Sequence, residues 1–350
     1  MSDSTNNPCV LLINDIHASH DTISEFTSNW NEALEVCRQH GIPRIVVGGD
    51  LWQARAHQTL DVLLAVRSAI LRATKEYKLD LVIAEGNHDL VDQEAMEGYS
   101  HLFSEYENVY VVDDFAYLPL GNRTELCVMS YFPENGSFCK RLEEAEAAKT
   151  PGAYTILYAH QGINGALATP SETDLPTKIF KGFDKVLVGH YHDRCVIPGT
   201  NIEYIGASRQ HNFGETPDKG YIIVYEDGSY QFVQNNANTR FATVEIAASE
   251  LTEERINEIL SDRTRKVKLK ISCSSEEAAT LNKQDLLVAG VAKIEVNTEQ
   301  TVVASENHDF DTKFDKNGIK QEYVKFCDTK DVSAEMGLEY LEKIGNVCGN

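Results

Sequence analysis

The run Val10-Leu11-Leu12-Ile13-Asn14-Asp15-Ile16-His17 decides how the rest of the chain reads. Four apolar residues bounded by polar ones read as a buried strand. That strand empties into an Asp and a His two positions apart. Residues i and i+2 of an extended chain project to the same side, so Asp15 and His17 can grip one ion. The figure then repeats. Ile45-Val46-Val47 runs into Gly48-Gly49-Asp50, and Leu81-Val82-Ile83 into Glu85-Gly86-Asn87-His88-Asp89. Thr155-Ile156-Leu157-Tyr158 leads to His160-Gln161-Gly162, and Val186-Leu187-Val188 to Gly189-His190-Tyr191-His192. Helix-like stretches lie between the first three strands. Ser24 to His40 stops at Gly41 and Pro43, and Leu60 to Ala73 repeats apolar residues at Leu60, Leu63, Leu64, Ala65, Ile70 and Leu71. Strand and helix in alternation give an α/β domain.

In open α/β sheets ligands bind beyond the carboxyl ends of the strands. Five strand ends therefore aim Asp, His and Asn groups at one crevice. Glycines before Asp50, Asn87 and His190 let the backbone turn close to an ion. Oxygen and imidazole donors without thiolates suit Mn²⁺, Fe²⁺ or Zn²⁺. A lone His at a strand end is usually a satisfied core residue, and a lone Asp after Gly usually a turn. Five such coincidences at five successive strand ends point instead to a metal centre. Seven donors exceed one tetrahedral ion and match two ions that share a carboxylate.

Composition narrows the class. The chain has 350 residues, 42% of them hydrophobic and 25% charged, with a net charge of −22. That is globular, and no apolar run reaches the roughly 18 residues of a membrane span. The N-terminus shows no secretory pattern. Eight scattered cysteines without a C-x-x-C read as reduced thiols, so a cytoplasmic protein is expected. A pI near 4.9 argues against DNA binding through a broad basic surface. One local exception is Arg263-Thr264-Arg265-Lys266-Val267-Lys268-Leu269-Lys270, where Lys266, Lys268 and Lys270 share a strand face. Phosphate contact and an edge strand guarded by lysines explain it equally.

After His192, Tyr204–Gly206, Tyr221–Tyr225 and Tyr230–Val233 read as strands that close the first domain near Ile246. A helix (Leu251–Leu260), a strand (Lys266–Ser272), a helix (Ser274–Leu287) and a strand (Val291–Val296) follow. The remainder is polar up to an amphipathic segment, Ser333–Ile344, with Met336, Tyr340 and Ile344 on one face and Leu341 beside them.

D-x-H, G-D, G-N-H-D, H and G-H-x-H in this order resemble the calcineurin-like metallophosphoesterases over about residues 8–245. The resemblance implies a sandwich of two mixed sheets flanked by helices. It implies two divalent ions, Mn²⁺ foremost, with Mg²⁺, Fe²⁺ or Zn²⁺ as substitutes. Asp15, His17, Asp50 and His192 would hold the first ion, and Asp50, Asn87, His160 and His190 the second. His88 would be the acid that protonates the leaving oxygen, with Asp89 orienting it. The chain lacks the G-D-x-V-D-R-G of phosphoprotein phosphatases, reading Gly49-Asp50-Leu51-Trp52-Gln53-Ala54-Arg55. Downstream, Tyr204-Ile205-Gly206-Ala207-Ser208, Phe213-Gly214-Glu215 and Lys219-Gly220-Tyr221 resemble the SbcD and Mre-eleven nucleases, especially phage-encoded recombination endonuclease subunits. Ala18-Ser19 after D-x-H and Gln53 depart from that family's pattern.

By that resemblance, residues 8–246 form the nuclease domain, 247–298 a small α+β DNA-capping domain, and 299–350 a polar linker and partner-docking helix. The protein would be a DNA exonuclease or endonuclease subunit of an SbcCD-like repair and recombination complex, in the host cytoplasm if phage-encoded. Its partners would be DNA and an SbcC-like coiled-coil ATPase, with a homodimer inside a heterotetramer. Leu60–Ala73 would pair the two copies by analogy, although packing on the sheet explains the same stripe and is the first reading of most of its residues. Arg55, Lys266, Lys268 and Lys270 are candidate DNA contacts. The alternatives are a small-molecule or nucleotide phosphodiesterase and a non-catalytic binding role. Trp52 could line the cleft or pack beneath it.

Overall fold

The apolar runs form strands, and they divide between two six-stranded sheets. The computed structural model describes residues 6–169, 171, 173–298, 323–324, 326–327, 333–334 and 337–338. In the first sheet β1 (Pro8–Ile13), β2 (Arg44–Gly48), β3 (Asp80–Ala84) and β4 (Val109–Val112) are parallel neighbours. The second contains β5 (Phe115–Gly121), β6 (Thr124–Met129), β7 (Tyr154–His160), β8 (Lys185–Gly189), β9 (Cys195–Val196) and β10 (Ile202–Tyr204), ordered β5-β6-β7-β8-β10-β9. Its four inner strands are parallel and its two edges antiparallel. Then β11 (Gly220–Tyr225) and β12 (Tyr230–Gln234) return antiparallel to finish the first sheet beside β1. Both sheets are therefore mixed.

A continuous apolar run hides an alternation that burial reveals. Val10, Leu12, Val46 and Val82 join Leu126, Val128, Ile156 and Leu187 in the layer between the sheets. Leu11, Ile13, Ile45 and Val47 pack on the other side with α1 (Ile23–His40) and α2 (Leu60–Leu71). Cys127, Met129, Leu157 and Val186 pack likewise with Phe138 and Leu142 of α3 (Phe138–Ala148). Strands buried on both faces must be apolar at every position. Each buried Val, Leu or Ile contributes about 1.5–3 kcal/mol. Helix α1 ends at Gly41, whose φ of 68° turns its N–H onto the Cys37 carbonyl.

Several sequence expectations need correction. In α2 it is Val62, Val66 and Ile70 that are buried, while Leu60 and Leu64 are exposed. The strand expected at Tyr204–Gly206 is Ile202–Tyr204, and Gly206 leaves it at φ 76°. Trp52 is buried, stacked on Phe103 at 6.3 Å between ring centroids, and does not line the cleft. The domain was expected to close near Ile246, but β13 (Arg240–Ala247) pairs in parallel with β14 (Arg265–Cys273) along its whole length. That strand thus belongs to a third sheet, β13-β14-β15, with β15 at Lys293–Thr298. The lysine-bearing strand is β14, the middle one, so the guarded-edge explanation fails. Its alternation stands: Val267, Leu269 and Ile271 are buried with Ile256 and Ile259 of α4 (Glu253–Ile259).

The helix expected over Ser274–Leu287 is two helices, α5 (Ser275–Thr280) and α6 (Lys283–Ala289). Asn282 divides them, because its side chain accepts the Gln284 amide at 3.1 Å and starts a new helix. Ser274–Ala279 and Thr298 group with the described residues between 323 and 338 in a separate compact unit. Of the expected tail helix, Gly337 and Leu338 are helical, with the Leu338 amide on the Ala334 carbonyl at 3.0 Å. Met336, Tyr340, Leu341, Ile344 and the stretch 299–322 lie outside the described residues. Among the described residues no helix is long and apolar enough to cross a membrane.

Candidate metal centre

The carboxyl ends of β1, β2 and β3 from one sheet meet those of β7 and β8 from the other. Register keeps these ends level: Gly48 pairs with Ala84, and His160 with Gly189. The next residues leave the strands abruptly. Asp15, His17, Asp50 and His190 all adopt positive φ, at 49°, 51°, 52° and 86°. Each such non-glycine residue costs about 1–3 kcal/mol and persists only where its surroundings dictate it. Here the Asp15, Ile16, His17 and Ala18 amides donate to the carbonyls of Gly49, Asp50, Asp50 and Leu51 at 2.8–3.1 Å.

The seven expected residues converge in two overlapping groups. Asp15 Oδ2 is occupied by Asn14 Nδ2 and by the His190 amide at 3.2 Å. Its Oδ1 is buried, has no hydrogen-bond partner, and lies 3.8 Å from His192 Nε2. His17 Nε2 lies 3.2 Å from His192 Nε2 and 3.5 Å from Asp50 Oδ2. In the second group Asn87 Oδ1 is 3.2 Å from His160 Nε2 and 3.0 Å from His190 Nδ1. His160 Nε2 is 3.3 Å from the same Asp50 Oδ2. One Asp50 oxygen thus faces both groups, while its Oδ1 accepts the His88 amide at 2.8 Å.

Neighbouring groups fix which ring nitrogens are bare. His160 Nδ1 sits 3.1 Å from the Gly48 carbonyl, and His192 Nδ1 is 2.9 Å from Glu215 Oε1. Both acceptors take an N–H, which turns each Nε2 inward, where it offers a lone pair once its own proton has left. Burial drives the His17 imidazole down to about 4 against the pull of Asp50 and Asp15. Burial, helped by His160, brings His190 to about 4 as well. Burial opposes charge on His160 too, yet Asp50 and Asp15 carry its imidazole up to about 9. Burial also opposes charge on Asp50, but His160 and His17 hold its carboxyl well below the ordinary range. Converging lone pairs, an orphaned carboxylate oxygen and an attractive field for positive charge fit two divalent cations.

The calcineurin-like phosphoesterase family matches residues 10–194, more than half of the chain. The chain belongs to that family. Its members work with a dimetal centre, and among the described residues His17, His192 and His211, and Asp15, Asp50 and His160, each lie close enough together to share an ion. "Putative phosphoesterase 244L" of Invertebrate iridescent virus 6 is 26% identical over 219 residues, or 61% of this chain and 75% of that one. Among solved structures, a dimetal phosphatase from Danio rerio has a TM-score of 0.45 at 9% identity, covering 63% of this chain and 93% of its own. The nuclease MPE of Pseudomonas putida has a TM-score of 0.29 at 15% identity, covering 62% and 84%. These two structural likenesses are too distant to bear on substrate.

The remaining candidates of this phosphoesterase fall elsewhere. His88 is half-buried at the rim, its ring 5.0 Å from that of His17. Its Nδ1 is 2.7 Å from the Gln53 carbonyl. The group that holds the His88 ring is thus the Gln53 carbonyl and not Asp89. Asp89 instead accepts the Trp52 and Gly86 amides at 2.9 and 2.7 Å. Burial, then Asp50 and Glu85, push its carboxyl well above the ordinary range. Arg55 is exposed, its carbonyl accepting the Tyr99 hydroxyl at 2.9 Å. Lys266, Lys268 and Lys270 have carboxylate partners in Glu25, Glu295 and Glu245.

The sequence reading missed Asn14, Arg209, His211 and the part played by Glu215. His211 is the clearest omission, since its ring lies 4.8 Å from His192 and 5.0 Å from His17. A histidine between the singled-out Ser208 and Phe213 was the available signal.

Proposed function

We propose that this phosphoesterase is a metal-dependent DNA nuclease, the hydrolytic subunit of an SbcCD-like end-processing complex. Asp15, His17, Asp50 and His192 would hold one ion and Asp50, Asn87, His160 and His190 the other. When bound, such ions polarise a phosphate and bring the pKa of a water toward neutrality. The chain's own acid is His88. Its Nδ1–H is committed to the Gln53 carbonyl, so Nε2 is the atom that carries a proton to the departing 3′ oxygen.

The observation that carries the DNA reading is a cavity of about 520 Å³ between Asn212-Phe213-Gly214 and Lys268, Lys270 and Lys293 of the third sheet. The next residue, Glu215, is the one that touches His192. Lysines beside a phosphodiester-cleaving centre suit a polyanion longer than one nucleotide. On the other side, carboxylate partners on Lys268 and Lys270 favour a nucleotide or small-molecule phosphodiesterase whose third sheet merely flanks the cleft. The capping role of residues 247–298, a homodimer through α2, docking of 299–350 on a coiled-coil ATPase, a cytoplasmic location and a phage origin belong to this proposal through the SbcD resemblance.

The test is digestion of duplex DNA by protein stripped with chelator and reloaded with Mn²⁺, beside nucleotide monoesters and an aryl phosphodiester. The nuclease reading expects DNA to be the preferred substrate and Asp50→Ala or His190→Ala to abolish its cleavage. His88→Ala should keep Mn²⁺ bound while losing roughly 10²–10⁴ in rate. Preference for monoesters or for the small diester would move the protein to the alternative class.

A further inference from the structure

The segment Ser208-Arg209-Gln210-His211 follows β10 and lies against Asn14-Asp15-Ile16-His17. Every carbonyl of that second stretch is taken by the first. The Ser208 amide donates to Asn14 O at 3.1 Å and His211 Nε2 to Asp15 O at 2.8 Å. One Arg209 terminal nitrogen donates to Ile16 O at 3.2 Å and His17 O at 3.4 Å. The amides of the same loop are already tied to Gly49, Asp50 and Leu51. Two left-handed residues, Asp15 and His17, are thereby pinned from both edges of the backbone. Overdetermination of this kind is what such a strained conformation requires.

Arg209 is the informative member. It is 3% exposed, makes no ion pair among the described residues, and its Nε has no hydrogen-bond partner. A buried guanidinium without a carboxylate is costly. Glu25 and Glu215 favour its charge from a distance but form no ion pair with it, and that charge would repel a cation nearby. What it supplies is a rigid donor fork at a fixed distance from two carbonyls, which the flexible point charge of a lysine does not reproduce.

We propose that Arg209 and His211 are positioning residues for the first ion. They hold the Asp15–His17 loop in the left-handed shape that aims Asp15 Oδ1 and His17 Nε2 at it. Neither residue touches Asn87, His160 or His190. They reach the second group only through the His190 amide on Asp15 Oδ2 and the loop amides on the Asp50 carbonyl, so the second ion is the less affected. The proposal rests on the two-ion reading above. Mutating groups that orient ligands typically weakens metal affinity about 10–100-fold.

Mn²⁺ titration of the full chain, followed by calorimetry and by the spin-resonance signal of free Mn²⁺, separates the possibilities. Wild type should take up two ions. Arg209→Lys, which keeps the charge, and Arg209→Met, which removes it, should each weaken one ion by about 10–100-fold and affect the other less. Tighter Mn²⁺ binding by Arg209→Met, two wild-type affinities in both variants, or equal weakening of both ions would overturn the proposal. If Arg209→Met does not fold, His211→Phe decides, because it keeps a ring and removes only the donor to Asp15 O. One weakened ion in that variant supports the proposal, and two unchanged ions sink it. Wild type that binds no Mn²⁺ overturns the two-ion reading itself, an outcome distinct from variants that bind as the wild type does.

Discussion

Asp50 is the residue on which both donor groups turn, because a single oxygen lies 3.5 Å from His17 Nε2 and 3.3 Å from His160 Nε2. Its pairing with His160 has a pH consequence. The carboxylates hold the His160 imidazole up to about 9, so at neutral pH a proton occupies the position that a cation must take. Metal binding releases that proton. Apparent Mn²⁺ affinity should therefore fall by up to about tenfold for each pH unit below 9. The fall is steeper where His192, raised against burial by Glu215 and Asp15, also takes a proton. His17 and His190, near 4, add no such dependence above pH 6. Calorimetry in buffers of different ionisation enthalpy would count the protons, and a flat affinity from pH 6 to 9 would refute the assignment. The seven converging residues were legible because each occupies a strand end, where spacing alone places it. Arg209, His211 and Glu215 were not, because they reach the centre by folding back from a loop nearly two hundred residues after Asp15. The only local signal is the motif around them, Ser208 on one side and Phe213-Gly214-Glu215 on the other.

Strand ends bring the donors together only if the backbones can approach closely, and Gly86 shows how closely. A Cβ built there would lie 2.3 Å from both the Asp50 amide and its Oδ1. Gly86→Ala should therefore push Asp50 out of place, with an overpacking cost of about 1–3 kcal/mol. Mn²⁺ affinity should fall while far-UV dichroism is retained. Gly152→Ala is the control: it meets nothing within 4 Å, although its φ of 77° is strained for alanine. It should lower the melting temperature without touching metal binding, and equal metal loss in both variants would remove the steric argument. The sequence disclosed those glycines and the strands before them, since apolar runs and turn residues are local signals. It did not disclose β4, β5, β6 or α3. Strand β5 is a half-buried edge containing Pro119, which breaks both the apolar run and the alternation. Nor could it assign strands to sheets, because an apolar run buried on both faces fits either one.

A molecule with a net charge of −22 can hold DNA only where local charge overrides the global repulsion. The cavity lined by Lys268, Lys270 and Lys293 is the place where it can. The lysines are not free, since Lys268 is paired with Glu295 and Lys270 with Glu245. Partly exposed pairs of this kind are worth about 0–1 kcal/mol, so a phosphate can displace the carboxylate. The exchange should leave a signature in salt. Each lysine that takes up a phosphate contributes about 0.9 to the slope of log affinity against log salt concentration. Converting Lys268, Lys270 and Lys293 to Gln should thus lower the slope for non-cleavable duplex by roughly 2.7 and weaken binding without regard to sequence. Hydrolysis of an aryl phosphodiester, too small to span the cavity, should be unaffected. The measurement is fluorescence anisotropy across a salt series with Ca²⁺ in place of Mn²⁺. A slope identical to the wild type would mean that the lysines remain with their carboxylates, and the third sheet would then play no part in holding DNA.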